Sequence, residues 1–215
     1  MKTLLIITVF VVSIGYSQTQ VSNDGKYREA MASNIQVVYS SDSPSSLHSA
    51  VNTFERIGQA EKTKWEPYYY AAFGYVMLAN HEQVAAKKDN YLDHAENNIK
   101  KASAIKSNDA EIIALEGFVH MIRITVDPAS RGQQYSMLGS QAFGKALTID
   151  GENPRALALM AQMEYGTAQF MGSPTTQACA TNEAALQKFT TFSSDNPLAP
   201  QWGQAMANEL KARCR

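Results

Sequence analysis

Much of what marks an enzyme or a nucleic-acid binder is missing from this sequence. It has no Gly-x-Ser-x-Gly, no P-loop, no dinucleotide glycine motif and no His-Glu-x-x-His. Ser103-Ala104-Ile105-Lys106 has the Ser-x-x-Lys form that opens a penicillin-recognising site, but no Lys-Thr-Gly completes it. No catalytic residue can be named on these grounds. Charge of one sign is missing too: 19 basic residues face 20 acidic ones for a net charge of −1, with only Lys87-Lys88 and Lys100-Lys101 as basic doublets. That balance gives no electrostatic footprint for nucleic acid. The four histidines, His48, His81, His94 and His120, lack ligand spacing, so no metal site and no cofactor are expected.

Long apolar runs are absent as well. The longest, Leu4 to Ile14, is 11 residues, whereas a membrane span needs about 20. With Lys2 ahead of it and Gly15-Tyr16-Ser17 behind, the run reads as a signal peptide over residues 1–17, cleaved after Ser17. No cysteine follows the site, so no lipid anchor is indicated. Residues 18–25 are polar and expected to be a flexible mature N-terminus. The mature chain is expected to be exported, periplasmic or secreted, without membrane insertion.

Cysteine is scarce, with only Cys179 and Cys214. In an oxidising compartment these two can form a disulfide. The alternative is two unpaired, partly buried thiols.

What the sequence does hold is a repeat. Ala50, Phe54, Ile57 and Ala60 advance by four, three and three, and the same steps recur in Ala95, Ile99, Ala102, Ile105 and in Gly139, Phe143, Ala146, Ile149. Ala185, Phe189 and Phe192 follow them. Each set is one apolar stripe of an α-helix. Each stripe is preceded by a second helical pattern: Lys26 to Tyr39, a helix opened by Trp65-Glu66-Pro67, Ala110 to Val126, and Pro154 to Met171. A last helix is expected over Gln201 to Cys214. The spacing therefore predicts helix pairs stacked into an all-α solenoid over residues 26–215. The connections inside a pair are expected to be long, near 80–90 with a turn at Asp89-Asn90, 127–136 and 171–182. Gly117, Gly139 and Gly144 mark close helix contacts.

This pattern resembles the tetratricopeptide repeat (TPR) family: Tyr70 and Gly74, Gly117, and Leu157 and Ala161 match its first helix, and the stripes from Ala50, Ala95, Gly139 and Ala185 match its second. The period departs from the family, 44 to 46 residues here against about 34, and HEAT-like repeats are the alternative architecture. The expected fold is an α-solenoid of about four TPR-like helix-turn-helix repeats with lengthened intra-repeat loops. The resemblance implies that first helices line a concave groove binding a protein or peptide, with Tyr68, Tyr75, Phe118, Met121, Arg155, Gln162 and Tyr165 on that face. Alternatively, a terminal helix fills the groove. The connection from Asp127 to Tyr135 offers Arg131, Gln133, Gln134 and Tyr135 as a second candidate surface. The functional expectation is a non-enzymatic exported scaffold for protein–protein interaction in the cell envelope. The alternative is a hydrolase or transferase whose residues meet only through the loops.

Overall fold

Apolar stripes at helical spacing must be buried, and in the computed structural model, which describes residues 13 to 214, they set the order of nine helices. These are α1 Ser13–Ser40, α2 Pro44–Ala60, α3 Glu66–His81, α4 Ala85–Ile105, α5 Ala110–Ile124, α6 Pro128–Ile149, α7 Pro154–Met171, α8 Thr176–Thr191 and α9 Gln204–Arg213. No strand occurs among the described residues. Most of the expected leader lies outside them. The stretch 18–25, expected to be flexible, is part of α1.

Each even helix packs back on the odd helix before it, and the odd helices pack in series, α1 on α3, α3 on α5, α5 on α7 and α7 on α9. The fold is an all-α solenoid of the TPR-like kind. The early members of each stripe carry the core: Ala50 and Phe54, Ala95, Ile99 and Ala102, Phe143 and Ala146, and Ala185 are all buried. The fourth member falls outside it, and Ile149 is exposed.

The connections differ from expectation for reasons of capping. Asp127-Pro128, read as a stop followed by a loop, is instead a start: the Asp127 carboxylate accepts the Ser130 N–H and Pro128 takes the first helical position. The 127–136 stretch is therefore mostly helix. Likewise the turn expected at Asp89-Asn90 falls at 82–84, where Glu82 is extended and its carboxylate accepts the N–H groups of Gln83 and Val84. After α7, Gly172 sits at φ +65° and the Ser173 N–H returns to the Ala168 carbonyl, so Pro174 ends the helix without a long loop. The intra-pair connections are thus short, and the surplus over the usual period lies in the second helices, 21 residues in α4 and 22 in α6.

Gly117 is where two helices touch. A Cβ there would lie 2.3 Å from Phe143 Cε1, a fully buried ring on α6. Gly117→Leu should cost about 3 kcal/mol, the upper end of ordinary overpacking. At Gly139 the added carbon would meet the flexible Met163 methyl at 2.7 Å, with the Gly117 carbonyl oxygen and Phe143 Cε2 at the ordinary contact distances of 3.5 and 3.7 Å. Gly144, expected to mark a close contact, has nothing within 4 Å. Gly144→Ala should therefore stabilise the protein by about 0.5–1 kcal/mol through helix propensity alone. Urea unfolding of the two variants should give shifts of opposite sign.

At the C-terminal end Cys179 and Cys214 form a disulfide, with Cα atoms 5.8 Å apart, which ties the start of α8 to the residue after α9. Its sulfurs pack on a small cluster of Ala161, Tyr165, Ala178 and Leu210.

Candidate functional site

The odd helices offer the surface that a TPR groove uses, and here the chain itself covers it. Residues 192–203, between α8 and α9, form a strap that runs back across α7, α5 and α3, with a turn at Asn196–Ala199 closed by the Ala199 N–H on the Asn196 carbonyl at 3.0 Å. The Tyr70 hydroxyl donates to the Leu198 carbonyl at 2.7 Å, and the Tyr39 hydroxyl accepts the Gln201 N–H at 3.1 Å. Asn196 donates to Glu66 at 3.1 Å. Trp202 inserts between Phe73 and Phe118, with ring centroids 5.0 and 5.6 Å away, and its indole N–H donates to the Tyr69 hydroxyl at 2.9 Å. Burial pushes the Tyr69 and Tyr70 phenols well above their usual range, so both remain neutral hydroxyls. α9 then continues along α7 and α8, receiving the Gln162 amide on the Met206 carbonyl and the Asn182 amide on the Ala207 carbonyl.

This arrangement sorts the candidate residues. Phe118 lies under Trp202, Gln162 under α9, and Tyr165 donates to the Arg213 carbonyl, so all are groove residues already engaged. Met121 is only partly buried. Arg155, at 0% exposure, bonds the Glu111 carboxylate through Nε and Nη2 at 2.6 and 2.5 Å and holds the Phe192 ring 4.2 Å away. It fastens α7 to α5 and offers a ligand no open face. Tyr68 and Tyr75 are on a different face from the one expected. Tyr68 packs over Gly58 with the Lys101 ammonium above its ring, and Tyr75 stacks on His94 of α4. Burial and the nearby Glu55 push the Tyr75 phenol up to about 12. Their one-residue offset from Tyr69 and Val76 turns them about 100° around the helix, enough to change faces.

The second candidate set belongs to the first turns of α6. Arg131 forks onto Asp89 at 2.6 and 2.8 Å and holds that carboxyl below its usual range. Asp89 also accepts from the buried Arg123, which bonds Asp93 and Glu96 as well, so the network ties α4, α5 and α6 together. Gln133 and Gln134 are exposed, and Tyr135 lies against His120 with ring centroids 5.9 Å apart. Burial lowers the His120 pKa.

Sequence reasoning missed a surface nearby. Phe170 and Met171 at the end of α7 are 90% and 71% exposed, and Met137 of α6 is 55% exposed. α6 and α7 run antiparallel with Gly139 opposite Met163, so Tyr135 and Met137 lie toward the Phe170–Met171 end. Their signal was present: Phe170 and Met171 adjoin the Gly-Ser-Pro stop, where apolar side chains are hard to bury.

A cavity of about 300 Å³ opens at the other edge, lined among others by Trp65, Lys106, Glu111, Asn153, Ser194 and Asn196. It brings Lys106 of the Ser-x-x-Lys stretch beside Ser194-Asp195-Asn196, which matches the second penicillin-site motif. The contacts make these residues structural. Lys106 pairs with Asp109 at 2.8 Å and sits 4.6 Å from the Trp65 ring centroid, Asn196 bonds Glu66 and the Leu198 N–H, and Ser103 does not line the cavity.

No protein-family model and no curated protein matches the chain. Solved structures do. The HusA haemophore from Porphyromonas gingivalis is similar over 88% of this chain and 92% of its own, at 28% identity and a TM-score of 0.77. A thermophilic TPR protein from Thermus thermophilus is similar over 91% of this chain and 94% of its own, at 14% identity and a TM-score of 0.51, which speaks to fold alone. The chain is a TPR-like helical protein, and its fold is that of a helical binding scaffold. No helix among the described residues is long and apolar enough to cross a membrane.

Proposed function

We propose that this protein is an exported, non-enzymatic scaffold that carries haem, or a similarly flat apolar molecule, on its outer surface. The likeness to a haemophore over nearly the full length of both chains carries this reading. Exposed apolar side chains support this reading. The groove is filled, whereas Phe170 and Met171 remain exposed at the end of α7 and Met137 remains exposed midway along α6, two residues after Tyr135. Large exposed apolar side chains grouped together mark binding surfaces. Thioether, phenol and imidazole groups in the same region suit an iron-bearing macrocycle. Export is supported by the apolar leader and by the disulfide.

Titrating the mature protein with haemin should produce a saturable Soret change with a dissociation constant of about 1 μM or lower. The pair Tyr135→Ala and Phe170→Ser should weaken it about tenfold, equal to some 1.4 kcal/mol. Absence of saturable binding would end the haem assignment, and undiminished binding by the double variant would move the site elsewhere. Mass spectrometry of the exported protein should find Gln18 at the N-terminus; retention of Lys2 would overturn the cleavage assignment.

A further inference from the structure

We infer that the cavity between the starts of α5 and α7 and the strap is a binding site for a neutral sugar ring, held by polar groups of both kinds beside an apolar wall. This goes beyond the carrier reading and does not rest on it, since no residue of the exposed apolar set lines the cavity. Its volume of about 300 Å³ is at the small end for ligand sites, so it takes one ring and not a macrocycle.

The charges around the cavity are cancelled where they stand. Lys106 pairs with Asp109 at 2.8 Å, and Glu111 takes two bonds from the fully buried Arg155. A charged ligand would bring in a charge that these pairs have no means to neutralise, which is costly in a partly buried place. What the wall retains is spare hydrogen-bonding capacity. Glu111 Oε2 accepts from Arg155 Nε and keeps a lone pair, while Asp150 gives one oxygen to the Glu152 N–H and keeps the other. Asn153 donates one of its two amide hydrogens to Glu111, and Lys106 has ammonium hydrogens beyond the one on Asp109. Behind them Arg155 Nη1 is buried without a protein partner, so the polar network is not completed within the chain. A hydroxyl both donates and accepts, and several on one ring engage such groups together.

Trp65, Ile149 and Phe192 form the apolar wall, and the Phe192 ring is backed by the Arg155 guanidinium 4.2 Å from its centroid. A pyranose has C–H faces and a hydroxyl rim, so its faces suit this wall while its rim reaches the polar groups. These groups are already fixed, Asn153 by capping α7 and Lys106 by the Trp65 ring, so binding orders little that is loose.

The test uses the full mature chain with its disulfide intact and follows the two indole N–H signals by nuclear magnetic resonance, with glucose, galactose and N-acetylglucosamine as probes. The Trp65 signal should shift saturably with at least one of them, with a dissociation constant of about 1 mM. The Trp202 signal, committed to Tyr69, should not move. Cyclohexanol, glucosamine and glucuronate, which lack the hydroxyl rim or carry a charge, should bind at least about tenfold more weakly. Asp150→Ala and Lys106→Met, both at exposed positions, should each weaken the sugar about fivefold, the loss of one hydrogen bond. A methyl glycoside of the bound sugar separates the sources: equal affinity supports the end of a glycan chain, and weaker affinity supports a free sugar. No saturable Trp65 shift with any of the three sugars overturns the inference. So does equal binding of the charged analogues, or an affinity indifferent to both substitutions. Where a substitution disturbs the amide spectrum, the ligand series on the unmodified protein decides.

Discussion

Arg155→Ala should lower the unfolding free energy by about 3–5 kcal/mol, the usual result of removing one partner of a buried ion pair. The Glu111 carboxylate, which now accepts two bonds from Arg155 and a third from Asn153, would be left in a largely buried place with only the Asn153 amide as donor. The loss is also steric, because the Phe192 ring rests on the guanidinium and Gly203 approaches its stem. Replacing both partners should be much milder: Arg155→Met with Glu111→Leu leaves no orphan charge and keeps most of the volume. Chemical denaturation of the single and double variants measures both. Equal losses would show that packing, and not the unpaired carboxylate, dominates.

Reducing the disulfide should cost about 4 kcal/mol in the chain-entropy account, given the 35-residue separation of Cys179 and Cys214. The effect should concentrate in α9, which buries only Ala207 and Leu210 deeply. Thermal melts with and without a dithiol, together with hydrogen exchange across residues 204–213, separate global from local loss. Two reactive thiols in the denatured, unreduced protein would remove the premise.

The repeat was legible because burying a helix face needs only the right period, and the stripes from Ala50, Ala95, Gly139 and Ala185 supplied it. The disulfide was legible because two cysteines allow one pairing. Connection lengths were misjudged where one signal has two meanings: Asp-Pro ends a helix or begins one, and only the neighbouring contacts decide between them. At the candidate site, Tyr68 and Tyr75 were assigned to the groove because residues one step apart look alike in sequence and face different neighbours in a helix. Filling of the groove stood as an alternative, but the strap's part in it was not visible. Nothing in Pro197 to Trp202 distinguishes a loop in solvent from one laid across three helices.

The strap also changes what kind of object the repeat array is. Its contacts join residues 162 and 128 positions apart, Gln201 to Tyr39 and Leu198 to Tyr70. An array held only by neighbours can lose its end units one at a time. Here the segment between α8 and α9 is stitched to α1 and α3, so loosening of the late helices breaks bonds to the early ones and melting is shared across the array. The same stitch sets an order in time. The aromatic surface of α3 cannot be finished until Leu198 and Trp202 have been made, which places this slow, long-range step of folding after the synthesis of α1 to α8.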